Sequence, residues 1–188
     1  MKKISTVIPM YNEEVVVEEC YKRMLNVLRQ MKNYDYEILF INDGSSDKTL
    51  NKLEEIASED SKVKIISFTR NFGHQVAVMA GLQYVTGDAI VIIDADLQDP
   101  PELIPEMIKL WEGGNEIIYG KRKKRKGESA FKIISAKMFY KIINYLSDVK
   151  IPKDTGDFRL VSKSVVDVIN SMPEHNKYIR GLWSWTRI

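Results

Sequence analysis

Strand-like and helix-like patterns alternate regularly over the first two-thirds of the chain, and this alternation limits the fold more than any other feature. Runs rich in β-branched and aromatic residues occupy positions 4–9, 36–42, 63–68, 89–94 and 116–120. Between them, stretches of helical periodicity cover 13–31, 47–59, 74–84 and 101–111. Asn12 and Ser46 stand where N-caps are expected, with acids in the following turn, and Gly87 and Gly113-Gly114 stand where helices should stop. Repeated strand–helix–strand units bury their strands in a mostly parallel sheet with right-handed crossovers. The chain is therefore predicted to be α/β, with a Rossmann-like, mostly parallel central sheet and helices on both faces.

Such sheets bind ligands outside the carboxyl ends of their strands. Four successive predicted strands deliver polar clusters to that edge. They are Pro9-Met10-Tyr11-Asn12-Glu13-Glu14, Asn42-Asp43-Gly44-Ser45-Ser46-Asp47, Thr69-Arg70-Asn71-Phe72-Gly73-His74 and Asp94-Ala95-Asp96. Their convergence marks the expected active site. No G-x-G-x-x-G follows the first strand and no G-x-x-x-x-G-K-[ST] occurs, so a nucleotide here would not have its phosphates cradled mainly by a glycine loop.

The segment Val91-Ile92-Ile93-Asp94-Ala95-Asp96-Leu97-Gln98-Asp99-Pro100-Pro101 brings two carboxylates together after a buried strand. Close carboxylates raise each other's pKa unless a cation neutralises them. A hard divalent ion held by Asp96, with Asp94 and Gln98 nearby, would do so, and Mg²⁺ commonly combines one or two carboxylates with substrate phosphates. The plainer reading is a solvated turn in which Asp99 caps a helix and Pro101 takes its first position. Asp43 could accept hydrogen bonds from a base or ribose and Tyr11 could stack on a ring, although the segment 43–47 also reads as a simple turn and N-cap.

The motifs Val7-Ile8-Pro9-Met10-Tyr11-Asn12-Glu13-Glu14, Asn42-Asp43-Gly44-Ser45-Ser46-Asp47, Asp94-Ala95-Asp96-Leu97-Gln98-Asp99-Pro100-Pro101-Glu102 and Asp154-Thr155-Gly156-Asp157-Phe158-Arg159-Leu160 resemble those of family 2 glycosyltransferases. More narrowly they resemble the polyprenyl-phosphate group, which contains dolichol-phosphate mannose synthases and bactoprenol glucosyltransferases. The likeness runs from about residue 4 to the end of the chain. It implies a GT-A fold, a nucleotide-diphospho-sugar donor, inversion at the anomeric carbon, a polyprenyl phosphate acceptor and Mg²⁺ or Mn²⁺ as cofactor. By motif match, Pro9, Tyr11, Glu13 and Asp43 would contact the nucleoside. Asp94, Asp96 and Gln98 would surround the metal and the donor diphosphate. Arg122 would meet donor or acceptor phosphate, with Arg125 assisting, and Asp157 and Arg159 would complete the reaction centre. Asp157 is the residue to name as general base, yet a phosphate acceptor with a second pKa near ~6 is already largely anionic. Orientation of an arginine or of donor hydroxyls is therefore the expected role, against plain Asp157–Arg159 scaffolding.

Charge divides the chain. Residues 1–120 hold 12 Lys/Arg against 20 Asp/Glu, whereas residues 121–188 hold 16 against 6, which together give the net charge of +2. The first part is expected to be the nucleotide-sugar-binding core, and the second the acceptor-side, membrane-proximal part of the same domain. Lys121-Arg122-Lys123-Lys124-Arg125-Lys126 would attract an anionic membrane surface, each charge contributing about 1 kcal/mol. A solvated loop is the plainer reading. No recognition motif accompanies the run, so nucleic acid is not an expected partner. Phe131, Ile134, Met138, Ile142 and Tyr145 form an apolar helical stripe flanked by Lys137 and Lys141, suited to core packing or to a bilayer surface. Trp183 and Trp185 beside Arg180 and Arg187 suit a membrane interface.

No apolar run approaches the ~18–20 residues of a membrane span and no secretory signal is visible. The resemblance leads us to expect a native frame that continues past Ile188 into transmembrane helices, acts at the cytoplasmic membrane face and can form homo-oligomers. The single cysteine, Cys20, excludes an internal disulfide and reads as a packing residue. His74 and His175 read as structural or surface residues; His74, which follows Gly73 at a helix start, could touch the donor, with nothing to place it on a metal. Transfer to a saccharide or protein hydroxyl, or a non-catalytic nucleotide-sugar-binding or tethering module, are the competing functions. UDP-glucose is the leading donor, ahead of GDP-mannose, UDP-N-acetylglucosamine and modified arabinose donors.

Overall fold

The computed structural model describes residues 1–121, 155–173 and 181–182. Arg122, Arg125, the stripe at 131–146, His175 and the tryptophans of the tail lie outside the described residues. The elements run β1 (Lys3–Met10), α1 (Val17–Gln30), β2 (Asp35–Asn42), α2 (Thr49–Glu59), β3 (Val63–Ser67), α3 (His74–Tyr84) and β4 (Ala89–Ile92). A short 3₁₀ turn (Pro101–Leu103), α4 (Ile104–Glu112), β5 (Ile117–Lys121), β6 (Thr155–Ser162) and α5 (Lys163–Ser171) follow. Pro101 takes the first position of the 3₁₀ turn, as its fixed φ favours.

The six strands form one sheet in the order β3-β2-β1-β4-β6-β5. The first four pair in parallel, and β6 runs antiparallel to both β4 and β5. The sequence places the fifth strand in the sheet but does not announce β6, which inserts between β4 and β5. Side chains alternate between two cores. Ile4, Ile8, Ile38, Phe40, Ala89, Val91, Phe158 and Leu160 pack with α1, α2 and α4 on one face. Val7, Leu39, Ile41, Ile90, Ile92 and Val161 pack with α3 and α5 on the other. Both faces are thus helix-covered, and the period-two alternation of the strands assigns each residue to its layer.

Two helices start later than their sequence signals. Asn12 adopts φ 55°, and its Oδ1 accepts the Ser46 N–H at 2.8 Å instead of capping α1. Val16 and Lys48 hold the N-cap positions, and Asp47 Oδ1 accepts the Thr49 N–H at 2.9 Å at the start of α2. The polar residues after β1 and β2 bond to each other across the loops, which delays both helices. Gly87 does not terminate α3, which ends at Tyr84; its N–H donates to Ser5 Oγ at 2.8 Å.

At the edge away from the predicted ligand, the buried Glu37 carboxylate joins four segments. It accepts from Ser5 Oγ (2.6 Å) and Lys3 Nζ (3.0 Å) of β1, Lys64 Nζ (2.7 Å) of β3 and the Thr86 N–H (2.7 Å) ahead of β4. Cys20 is buried on α1, and burial pushes its thiol up to about 12, as suits a packing residue. Among the described residues no helix is long and apolar enough to cross a membrane.

Candidate active site

The four parallel strands end in a common cleft of about 280 Å³. Pro9, Met10, Tyr11 and Glu13 enter from β1, Asp43 from β2, Asn71, Gly73 and His74 from the segment after β3, and Asp94, Ala95 and Asp96 from the segment after β4. The strand-end clusters therefore do converge. Tyr11 is exposed, so its ring is available for stacking.

Backbone approach and polar stitches hold the loops together. Asn12 N–H donates to Ser45 Oγ (3.0 Å), Glu13 N–H to Thr49 Oγ1 (2.8 Å) and Glu14 N–H to Asp47 Oδ2 (3.1 Å). Gly44, at φ 66°, lies against the Arg70 backbone, where an added Cβ would sit 2.2 Å from the carbonyl carbon. Only glycine meets both demands. The buried Asp43 carboxylate then accepts the Phe72 N–H on Oδ1 (2.7 Å) and the Gly73 N–H on Oδ2 (2.9 Å). Each oxygen retains a second lone pair, and Asp43 lines the cleft, so it both shapes the loop and faces the ligand space. Gly73, at φ 95°, turns the chain into α3 and presents His74 as that helix's first residue.

His74 stands beside the carboxylates of the cleft. Its Nε2 stands 2.8 Å from Asp94 Oδ1, with both side chains partly exposed to the cleft. Ligand atoms of His74, Asp94 and Asp157 all lie within 4.8 Å of one another. The place of His74 at the end of the third strand-end cluster sets it at the expected ligand edge, and the structure adds which carboxylates it meets. Asp157 also approaches Arg159, with Oδ1 at 3.7 Å from a guanidinium nitrogen, while the buried Arg159 donates through Nε to the Asp157 carbonyl at 3.3 Å. Asp96 lines the same cleft and its Oδ1 accepts the Gln98 N–H at 3.0 Å. Gln98 itself is not among the cleft-lining residues.

The donor set suits a divalent cation. Burial, followed by the negative charges of Asp96, Asp47 and Asp94, pushes the Glu13 carboxyl up. The cleft thus holds a concentration of negative potential that a cation would relieve, and imidazole and carboxylates are groups that bind one.

Residues 5–169 match the family model described as glycosyl transferase family 2. The chain is 52% identical to the uncharacterized glycosyltransferase YkcC of Bacillus subtilis (strain 168), over 96% of this chain and 56% of that protein. It is 45% identical to a prophage bactoprenol glucosyl transferase homolog of Escherichia coli (strain K12), over 97% of this chain and 60% of that one. Among solved structures it resembles a mannosyltransferase from Pyrobaculum calidifontis in complex with GDP-Man and Mn²⁺, with TM-score 0.64 and 18% identity over 92% of this chain and 48% of that chain. That likeness establishes a GT-A fold. The chain spans less than two thirds of the length of these curated relatives.

Proposed function

The chain belongs to glycosyl transferase family 2, and on that premise we propose that it forms the donor-binding and catalytic part of an inverting transferase. The transferase moves a sugar from a nucleotide-diphospho-sugar to a polyprenyl phosphate at the cytoplasmic membrane face. The observation that carries this reading is the convergence of Tyr11, Glu13, Asp43, Asp94 and Asp96 in one cleft at the carboxyl ends of the parallel strands. The likeness to a bactoprenol glucosyl transferase homolog supports the lipid phosphate as acceptor and glucose as the leading sugar.

Pro9 and Tyr11 flank the nucleoside, and Asp43 accepts from it with lone pairs left over from the loop amides. Asp94, Asp96 and Gln98 would hold Mg²⁺ or Mn²⁺. When bound, such an ion stabilises the charge developing on the leaving diphosphate. The acceptor oxygen is already anionic near neutral pH, so the protein's task is to bring two phosphates together without repulsion. Arg159 contributes a fixed cation, and Arg122 and Arg125 add further cations from the basic segment. Asp157 orients Arg159, with proton removal secondary. Residues 1–120 serve the donor, whereas residues 121–188 serve the acceptor and an anionic membrane surface, and the whole protein acts as a membrane-associated, homo-oligomeric enzyme.

The test is a donor panel with a short polyprenyl phosphate, with and without Mg²⁺ or Mn²⁺, using the whole natural protein. UDP-glucose should give a lipid-linked hexose only with metal present. Absence of lipid product from every donor overturns the reading, and transfer to a saccharide hydroxyl alone would replace the acceptor class.

A further inference from the structure

We propose that His74 Nε2, with one oxygen each of Asp94 and Asp157, forms a divalent cation centre whose imidazole nitrogen makes it favour Mn²⁺ or Co²⁺ over Mg²⁺. This rests on the transferase reading of the cleft and adds a ligand from outside the Asp94-Ala95-Asp96 motif.

The fold brings the three groups together from separate elements. β4 pairs antiparallel with β6, and the register ends with Ile92 opposite Arg159. Extending that register by two residues on each strand sets Asp94 opposite Asp157. Ile92 and Val161 lie in the core on the α3 side, and period-two alternation puts Asp94 and Asp157 on that side as well. His74 opens α3 over the same face. Like charges directly opposite across a strand pair are destabilising. Arg159 approaches Asp157 and offsets this there, and a divalent cation between the two carboxylates would attract both.

The spacing fits coordination. Ligand atoms about 2.1 Å from an octahedral ion stand roughly 3 Å apart when adjacent and roughly 4.2 Å apart when opposite. The three donors already fall within 4.8 Å of one another, so side-chain rotation alone closes the set. With the ring proton on Nδ1, Nε2 is a ligand. Asp157 has two oxygens, so it can serve Arg159 and the ion together. Mg²⁺ demands oxygen ligands and sheds water reluctantly, whereas imidazole suits transition ions. Asp96 lines the same cleft and its charge acts on Glu13, so it stays within the set of carboxylates that the ion would join.

The experiment is Mn²⁺ titration of the 188-residue chain, prepared without a histidine tag, followed by electron paramagnetic resonance with and without UDP. Bound Mn²⁺ should show nitrogen electron spin-echo modulation from one imidazole. His74→Ala and His74→Gln, checked for folding by circular dichroism, should abolish the modulation and weaken Mn²⁺ binding about tenfold or more, with less effect on Mg²⁺. Glutamine carries an amide N–H to the position of Nε2 and so keeps a hydrogen bond to Asp94 without offering an imidazole, which separates ligation from simple support. His175→Ala should keep the signal. Bound Mn²⁺ without nitrogen modulation, unchanged affinity in both His74 variants, or no Mn²⁺ binding with or without UDP overturns the proposal. If nucleotide-sugars bind by calorimetry while nitrogen modulation is absent, this centre fails and the transferase reading stands. Nitrogen-ligated Mn²⁺ with no donor binding keeps the centre and overturns the transferase reading.

Discussion

Asp43 and Gly73 are joined by a hydrogen bond of 2.9 Å from the Gly73 N–H to Asp43 Oδ2, while Oδ1 takes the neighbouring Phe72 N–H. One buried side chain at the end of β2 thus fixes the segment that delivers His74 to Asp94. Asp43→Asn keeps one acceptor oxygen and turns an amide donor toward an N–H. Urea unfolding should show a loss of about 2 kcal/mol, because a buried donor is left unpaired. Amide exchange at Phe72 and Gly73 should quicken with it. If Asp43 only contacts the nucleoside, donor affinity will fall with stability unchanged.

Gly44 and Gly73 separate crowding from backbone strain. Both have positive φ, but a Cβ on Gly44 meets the Arg70 backbone at 2.2 Å, whereas a Cβ on Gly73 meets nothing within 4 Å. Gly73 sits at φ 95° and ψ 153°, a region essentially reserved for glycine, so Gly73→Ala should cost about 1–3 kcal/mol from backbone strain alone. Gly44→Ala should cost more than about 3 kcal/mol, since the two loops must part. Equal losses in thermal unfolding would contradict the close approach of the β2 and β3 loops.

These loops also mark the boundary of what the sequence reveals. Buried parallel strands read as continuous β-branched runs, so β1 to β4 are legible to within two residues at each end, as is the first residue of α3, His74. Asn12 and Ser46 mislead because each has the chemistry of a cap, and nothing local shows that they will bond to each other. β6 escapes because Gly156 and Asp157 near its start are residues that strands disfavour, and its pairing partners are distant in sequence. The same long-range pairing hides which groups His74 meets: Asp94 follows β4 and Asp157 lies in β6, and their approach depends on a pairing between segments distant in sequence.

The Glu37 cluster should give stability a steep acid dependence. Burial opposes ionisation of Glu37, but Lys64, Ser5, the Thr86 N–H and Lys3 outweigh it and hold the carboxyl far below the usual range. The folded pKa is thus depressed below the unfolded value near ~4.3. The stabilisation is therefore present above about pH 4.3 and is lost as pH falls toward the folded pKa. Glu37→Gln leaves two lysines without their buried partner and should cost about 3 kcal/mol at pH 7. The gap in melting temperature between the two proteins should start to narrow below about pH 4 and keep narrowing as pH falls toward the folded pKa. A constant gap between pH 7 and pH 3 would remove Glu37 as the source.

Asp157 decides between proton removal and positioning. A general base contributes about 10²–10⁴-fold, and its loss removes the limb of the pH–rate profile that it governs. A lipid phosphate acceptor, with its second pKa near ~6, needs no such base above neutrality. Asp157→Asn keeps an oxygen near Arg159 but weakens both the ion pair and the charge facing Asp94. The expected result in the whole protein is a loss of about tenfold in kcat/KM, an unchanged pH profile between about pH 6 and 9, and partial recovery with excess Mn²⁺. A loss above about 10³-fold that excess metal does not relieve, together with a missing pH limb, would assign the proton to Asp157.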